Sequence, residues 1–134
     1  MKSLRHETVP IRSSSDVVLA RQKVRQWAQE LKFTLVDQTK LVTAASELAR
    51  NTLDHGKGGE MSIDIVEDLT RTGLKLMFED HGPGIPDVAV ALRDGYTTGS
   101  GMGLGLGGSK RLVNEFDIQS EIGKGTRVSV VRWK

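Results

Sequence analysis

The sequence predicts an α+β fold, a two-layer α/β sandwich in which helices cover one face of a mixed, mostly antiparallel sheet. Apolar residues recur at three- and four-residue spacing in two early segments, whereas they alternate with polar residues in the segments that follow. The helical and strand-like segments also come in blocks and not as repeated strand–helix–strand units, which favours antiparallel pairing. We expect one domain that spans residues 1–134.

Two amphipathic helices are predicted in the first half of the chain. The first follows a short extended segment, and serines near Asp16 are available to cap it before an apolar stripe over residues 17–31. The second begins near Thr34, where Thr34 and Asp37 stand in a capping arrangement, and it ends near Gly56. Each stripe predicts one helix face packed against the core.

Strand-like alternation begins after the second helix. The runs MSIDIVED and GLKLMFED are joined by LTRTG, which suits a hairpin. The later segment LGGSKRLVNEF, from Leu106 to Phe116, has helical spacing, so we expect a third helix there. The segments DIQSEIG and TRVSVVRWK, with a turn at GKG, are two further strand candidates.

The composition limits the class of protein. The chain has no cysteine, which excludes disulfides, thiolate catalysis and cysteine-ligated zinc. No apolar run approaches the ~20 residues of a membrane span, and no signal peptide is evident, so we expect a cytoplasmic protein without a membrane partner. Nineteen basic and seventeen acidic residues are mixed along the chain, so we expect no nucleic-acid partner.

Glycine is concentrated between Asp80 and Leu112, where nine of the fifteen glycines and two of the three prolines lie. Because glycine lets a ligand approach the main chain, such a run is either a linker or a ligand cradle. It lies between a buried-looking strand and an amphipathic helix, which favours the cradle. Residues 86–100 are long enough to fold over a bound ligand as a lid.

Each end of this glycine-rich stretch has its own pattern. Asp80 follows a strand, and its carboxylate suits an exocyclic amine such as that of adenine, with Gly82 and Gly84 leaving a flat slot. A tight turn with a helix-capping aspartate explains the same residues. At the other end the run GMGLGL, residues 101–106, opens a helix, and unpaired backbone N–H groups at a helix start favour anions.

Two common phosphate motifs do not account for these glycines. Residues 103–108 match G-x-G-x-x-G, but a dinucleotide fold requires a strand directly before this motif and a full strand–helix–strand unit around it. The preceding GYTTGS has no strand character, and only 26 residues follow Gly108. The P-loop pattern G-x-x-x-x-G-K-[ST] is absent from the sequence.

Glu47 and Asn51 form a candidate polar pair on the second helix. Their spacing of four residues places them on one helix face, away from the apolar stripe. A carboxylate and an amide oxygen so placed suit Mg²⁺ and the orientation of a hydroxyl group or water. An ordinary solvent-facing pair of polar side chains is the alternative.

Four motifs occur in one order: E-x-x-x-N on a helix, D-x-G-x-G-I after a strand, G-x-G-L-G-L before a helix, and GKGT before the last strand. In this order they resemble the boxes of the GHKL (Bergerat-fold) ATPases and kinases over roughly residues 35–134. Within that superfamily, TAASELARNTLDHG, EDHGPGIPD, DGYTTGSGMGLGL and KRLVNEF resemble the small serine/threonine switch kinases of the bacterial stressosome, which are related to anti-sigma factor kinases.

This resemblance implies a role for each matching residue. Glu47 would be the general base, or a positioner, for the acceptor hydroxyl, and Asn51 would ligate Mg²⁺ that bridges the phosphates of ATP. Asp80 would bind the adenine amino group in a slot shaped by Gly82 and Gly84. The remaining matches would offer backbone donors to the phosphates and complete the adenine end; they are Gly101, Gly103, Leu104 and Gly105 for the phosphates, and Thr126 for adenine.

One position departs from the related anti-sigma kinases. They have an arginine two residues before the first glycine of the G-x-G box, where this chain has Gly99. We therefore expect either that another cation meets the γ-phosphate, with Arg50, Lys110 and Arg111 as candidates, or that transfer is slow.

The resemblance implies a protein serine/threonine kinase that phosphorylates a STAS-domain antagonist and acts as a partner-switching regulator in bacterial stress or sigma-factor signalling. Once released, such a kinase would activate a PP2C-type phosphatase. An anti-sigma factor that sequesters a sigma factor and a nucleotide-dependent binding module are the alternatives. A histidine kinase or a gyrase-like ATPase is not expected, because we find no phosphoacceptor helix pair and no coupling domain.

Overall fold

The fold is built on a five-stranded sheet whose strands lie in the order β1-β2-β3-β5-β4. The computed structural model describes residues 1–92 and 105–134. The strands are β1 (Lys2–Ile11), β2 (Gly59–Asp68), β3 (Arg71–Asp80), β4 (Glu115–Glu121) and β5 (Gly125–Trp133). The helices are α1 (Ser14–Glu30), α2 (Leu35–Asp54), α3 (Val88–Ala91) and α4 (Leu106–Arg111).

Every strand pair in the described residues is antiparallel. The prediction of an α+β fold with a mostly antiparallel sheet is therefore confirmed, although the sheet is more uniform than the mixed one expected. The hairpin predicted at LTRTG joins β2 to β3 through a two-residue turn at Leu69 and Thr70.

Side-chain caps fix the starts of the two long helices. The Ser13 hydroxyl accepts a hydrogen bond from the Asp16 backbone N–H at 3.2 Å, and the Asp16 carboxylate accepts one from the Arg12 N–H at 2.9 Å. At the start of α2 the Thr34 hydroxyl accepts from the Asp37 N–H at 3.1 Å. Each cap satisfies a backbone donor that the helix leaves unpaired and is worth about 1 kcal/mol.

The core lies between α1, α2 and one face of the sheet. Because side chains alternate along a strand, only every second strand residue reaches this face. The apolar stripes predicted for both helices are buried there, opposite the alternating residues of β2, β3 and β5. The fully buried large side chains include Trp27, Leu41, Leu48, Met61, Ile63, Leu74, Leu76, Phe78 and Val130.

The predicted third helix is shorter than expected. Helix α4 ends at Arg111, and Phe116 belongs to β4, where it pairs with Val130. Beyond the helix, the Asn114 N–H already donates to the Val131 carbonyl oxygen of β5 at 2.9 Å. Sheet pairing thus replaces helical hydrogen bonding in a segment whose apolar spacing suits both.

Among the helices of the described residues, none combines the length and the apolar character needed to cross a membrane.

Candidate functional site

One pocket lies where the end of α2, the end of β3 and the start of β5 meet. The space there, including the part open to solvent, is about 440 Å³, and it is bounded on another side by Leu106 at the start of α4. The residues that line it come from five parts of the chain; they are Leu48, Asn51, Thr52, His55, Gly56, Phe78, Asp80, Gly84, Ile85, Leu106, Thr126 and Val128. Four of the residues predicted for the ligand site therefore share this pocket; they are Asn51, Asp80, Gly84 and Thr126.

Asp80 is the buried acidic side chain of the pocket, with 9% of its surface exposed. Its Oδ1 accepts hydrogen bonds from the backbone N–H of Gly82 at 2.9 Å and of Thr126 at 3.3 Å. Burial raises the pKa of Asp80 above its ordinary value, while these two backbone hydrogen bonds act in the opposite direction. Within the described residues no hydrogen bond reaches Oδ2, so this oxygen is left for a ligand that can donate one.

Close backbone approaches hold the Asp80 carboxylate in place. A Cβ on Gly56 would lie 2.2 Å from the Asp80 Cγ, and one on Gly82 would lie 2.7 Å from the Gly56 Cα. Gly125 has φ +121°, and a Cβ there would lie 2.1 Å from the Asp80 carbonyl oxygen. No larger residue fits at Gly56 or Gly125 without displacing Asp80.

The predicted slot glycines take different parts in the site. Gly82 donates its N–H to Asp80, whereas Gly84 lines the pocket itself. Gly84 has φ +79° and packs against the carbonyl oxygen of Glu121, where a Cβ would lie 2.4 Å away. The glycine-rich turn after β3 is therefore packed against the β4–β5 turn, and it forms one wall of the pocket.

Glu47 stands beside Gly105. Gly105 has φ +65° and caps the start of α4, and a Cβ there would lie 2.6 Å from Glu47 Oε2. Glu47 is exposed and Asn51, one turn further along α2, is half-buried. The structure therefore places Asn51 in the pocket and Glu47 outside its lining, next to the last glycine of the predicted phosphate segment.

Three other predicted phosphate contacts, Gly101, Gly103 and Leu104, lie outside the described residues, as does Gly99. The described part of the predicted lid contains α3, whose first turn is capped by Asp87 through a 3.1 Å hydrogen bond from the Val90 N–H. Ala91 is buried in the core. Helix α3 is therefore packed against the domain through Ala91.

The described residues contain no group of three or more His, Cys, Asp or Glu side chains that could hold a metal ion. This donor set still fits Mg²⁺ in a nucleotide complex, because Mg²⁺ keeps several waters and takes one or two protein ligands together with the phosphates. An asparagine amide oxygen could serve as such a ligand, and Asn51 lines the pocket.

The three candidate replacements for the missing arginine lie in different places. The guanidinium of Arg50 donates to the Ser14 hydroxyl at 3.3 Å, at the start of α1. Lys110 and Arg111 lie in the last turn of α4, at the opposite end of that helix from Gly105. Arg50 is the candidate that stands on the same helix as Glu47 and Asn51.

Sequence reasoning missed Gly56, Ile85 and Ser120. The Ser120 hydroxyl lies 2.8 Å from the Thr126 Oγ1 and accepts a 2.8 Å hydrogen bond from the Ile85 N–H. Ile85 ends the D-x-G-x-G-I motif but was given no role, and no local pattern marks Gly56 or Ser120 as part of the site. Their proximity to the site depends on how the strands pair.

The pocket, the buried aspartate at the end of β3 and the Glu/Asn face of α2 have the arrangement expected of a GHKL ATPase domain. Residues 36–134 match the family described as histidine kinase-, DNA gyrase B-, and HSP90-like ATPases, and the chain belongs to this family.

Two curated relatives align along most of the chain. It is 45% identical over 125 residues to serine/threonine-protein kinase RsbT of Bacillus subtilis, an alignment that covers 93% of this chain and 94% of the relative. It is 30% identical over 122 residues to an anti-sigma F factor of Clostridium kluyveri, which covers 88% of this chain and 86% of the relative.

Two solved structures share the fold. The RsbU and RsbW domains of a Mycobacterium tuberculosis protein superpose with a TM-score of 0.63 at 20% identity, over 97% of this chain and 32% of the other. The SiaB–SiaC complex from Pseudomonas aeruginosa gives a TM-score of 0.56 at 15% identity, over 98% of this chain and 91% of the other.

Proposed function

We propose that this protein is a single-domain kinase that transfers the γ-phosphoryl group of ATP to a serine or threonine of a partner protein. The observation that supports it most directly is the common helix face of Glu47 and Asn51, with Asn51 in the pocket and Glu47 against Gly105. The 45% identity to the kinase RsbT supports the same activity.

The adenine end of the site would be formed by Asp80 and Thr126. With Oδ1 occupied by two backbone N–H groups, Asp80 has one carboxylate oxygen to accept a hydrogen bond from the adenine amino group. Guanine carries a carbonyl oxygen at that position, which would face a carboxylate without a proton between them. The pocket should therefore prefer adenine nucleotides.

At the phosphate end, Asn51 would hold Mg²⁺, which neutralises phosphate charge when it is bound. Glu47 would accept the proton of the acceptor hydroxyl as that oxygen attacks the γ-phosphorus and the bond to the β-phosphate bridging oxygen breaks. Positioning and charge neutralisation supply most of the catalysis in such transfers. The exposed position of Glu47 suits this role, because a hydroxyl carried by another protein must reach it.

We infer that the acceptor is a STAS-domain protein and that the kinase switches between partners, one of them a PP2C-type phosphatase, in the cytoplasm. A second function is favoured by the 30% identity to an anti-sigma F factor. In that case the domain would bind a sigma factor and would release it in a nucleotide-dependent manner.

Single-turnover transfer tests the proposal. The protein is mixed with radiolabelled ATP, Mg²⁺ and a STAS-domain protein encoded beside it, and label on serine or threonine is the expected result. Glu47→Ala serves as the inactive control, since it leaves the pocket lining unchanged. Tight Mg·ATP binding without any transfer would reject the kinase and favour a nucleotide-dependent binding module.

A further inference from the structure

The Ser120 side chain on β4 connects two walls of the nucleotide pocket. Its hydroxyl makes three contacts: with the Ile85 N–H at 2.8 Å, with the Thr126 hydroxyl at 2.8 Å and with the Gly125 carbonyl oxygen at 3.2 Å. Ile85 belongs to the glycine-rich turn after β3, whereas Gly125 and Thr126 begin β5. Both Ile85 and Thr126 line the pocket.

The chemistry of these groups decides the direction of each hydrogen bond. A serine hydroxyl has one proton to donate and can accept two hydrogen bonds. The Gly125 carbonyl oxygen can only accept, so it takes the Ser120 proton, and the Ile85 N–H can only donate. The distance between the two hydroxyls allows either to donate; with the Ser120 proton on Gly125, the Thr126 hydroxyl is the donor and its proton lies on the side of Ser120.

The position of the Thr126 proton limits what the pocket can offer a ligand. With its proton committed to Ser120, the Thr126 Oγ1 can offer a ligand in the pocket only an acceptor. Asp80 Oδ2 is a second acceptor in the same pocket. Two acceptors can take the two protons of an amino group, directly or through a water molecule bound to the amino group. They have no proton to donate to a carbonyl oxygen.

We propose that Ser120 is a positioning residue for base recognition, which holds the Thr126 hydroxyl as an acceptor and thereby contributes to the preference for adenine over guanine nucleotides. This proposal rests on the proposed nucleotide-binding function and adds a residue that does not line the pocket.

Removal of the Ser120 hydroxyl should therefore change specificity as well as affinity. In Ser120→Ala the Thr126 proton has lost its partner, and the Thr126 hydroxyl is free to rotate and donate into the pocket. It then accommodates the guanine carbonyl oxygen better than the wild type does, although Asp80 Oδ2 still disfavours that oxygen. Ser120→Thr keeps the hydroxyl on a strand, where a β-branched residue is well tolerated, and should restore the preference.

Calorimetric titration with ADP and with GDP measures this effect. We expect Ser120→Ala to lose about tenfold in ADP affinity, the equivalent of one hydrogen bond, while GDP affinity changes by less than about threefold. Ser129→Ala is the matched control, because Ser129 lies in β5 between two core-facing valines and faces away from the pocket. Thermal unfolding without ligand checks that each variant is folded.

A second pair of variants keeps the proposal testable if Ser120→Ala does not fold. Thr126→Ser should retain the ratio of ADP to GDP affinity, whereas Thr126→Val should lower it. Ser120→Val, which lacks the hydroxyl but suits a strand, should lower the ratio in the wild-type background and change nothing further in Thr126→Val. Equal losses of ADP and GDP affinity in Ser120→Ala would show a purely structural role and overturn the proposal. Failure of the wild-type protein to prefer ADP would instead overturn the adenine site itself.

Discussion

Gly105 lies directly against the carboxylate of Glu47. A Cβ on Gly105 would approach Glu47 Oε2 to 2.6 Å, and the backbone of Gly105 has φ +65°, in the left-handed region. The N-cap residue of α4 therefore leaves room for the candidate general base, 58 residues earlier in the sequence. This contact links the α2 face of the site to the run GMGLGL, residues 101–106, whose described part begins at Gly105.

Gly105→Ala should impair phosphoryl transfer more than nucleotide binding. Alanine at positive φ costs about 1–2 kcal/mol, and the added methyl group displaces the Glu47 carboxylate, which is the flexible end of its side chain. We expect the single-turnover rate to fall at least about tenfold, since small misplacements of a catalytic group cost this much or more. Rapid-quench transfer assays at saturating ATP measure the rate.

Gly108→Ala is the matched control for this substitution. Gly108 lies in the same helix, and a Cβ there would meet no atom within 4 Å. Alanine should stabilise the helix by about 0.5–1 kcal/mol and leave transfer unchanged. Wild-type transfer by Gly105→Ala would remove the contact with Glu47 from the mechanism.

Glu47 and Asn51 should separate chemistry from binding. Loss of a general base costs about 10²–10⁴-fold in rate, so Glu47→Ala should lose most transfer and keep near-normal ATP affinity, because Glu47 does not line the pocket. Asn51→Ala should lose both transfer and ATP affinity, since Mg²⁺ would neutralise phosphate charge in the bound complex as well as during transfer. The paired measurements are calorimetric Mg·ATP affinity and single-turnover rate. Intact Mg·ATP binding by Asn51→Ala would contradict the metal assignment.

The sequence alone predicts which site residues are neighbours only where those residues lie close together in the chain. Glu47 and Asn51 are one helical turn apart, and Asp80 shares a local motif with Gly82, so spacing alone predicts their neighbourhood. Gly56 and Ser120 act on the site through strand pairing and loop packing, which no local pattern encodes. Local pattern was also insufficient at Phe116. It lies at helical spacing in the sequence, but it pairs in the sheet between β4 and β5.

Arg132 and Asp37 should contribute stability that depends on pH. The Arg132 guanidinium donates to Asp37 Oδ1 at 2.6 Å and to the Leu112 carbonyl oxygen at 3.1 Å, so it fastens α2 and the end of α4 to β5. The hydrogen bond from Arg132 holds the pKa of Asp37 below its ordinary value. This stabilisation is present above the pKa of an unfolded aspartate, about 3.9, and is lost as the pH falls through the lower folded pKa.

Arg132→Leu should therefore lower the free energy of unfolding at pH 7 by about 2 kcal/mol, in the range for hydrogen bonds to charged groups. Urea unfolding at pH 7 and in acid measures this difference, which should shrink as Asp37 becomes protonated. Arg127→Leu is the control, because its partner Glu79 lies on the exposed face of the sheet, and exposed pairs contribute about 0–1 kcal/mol. Equal losses for both arginines would contradict a special role for Arg132.

The buried Asp80 carboxylate should lower the stability of the ligand-free protein at neutral pH. Burial raises the pKa of its carboxyl group, so the ionised form is disfavoured in the folded state. Its contribution to stability is most favourable below the unfolded pKa of about 3.9 and is lost as the pH rises through the higher folded pKa.

Asp80→Asn keeps an oxygen for the Gly82 and Thr126 N–H groups and removes the charge. At pH 7 we expect this variant to be more stable than the wild type without ligand, and to lose that advantage in acid. Its ADP affinity should fall by ~1–3 kcal/mol, because the oxygen that faces the adenine amino group has become a donor. Wild-type ADP affinity should also decline as the pH falls through the raised pKa of Asp80, while that of the variant stays constant over the same range. Thermal unfolding and calorimetry across this pH series test both effects, and a variant that is less stable at pH 7 yet binds ADP normally would reject the assignment of Asp80 to adenine.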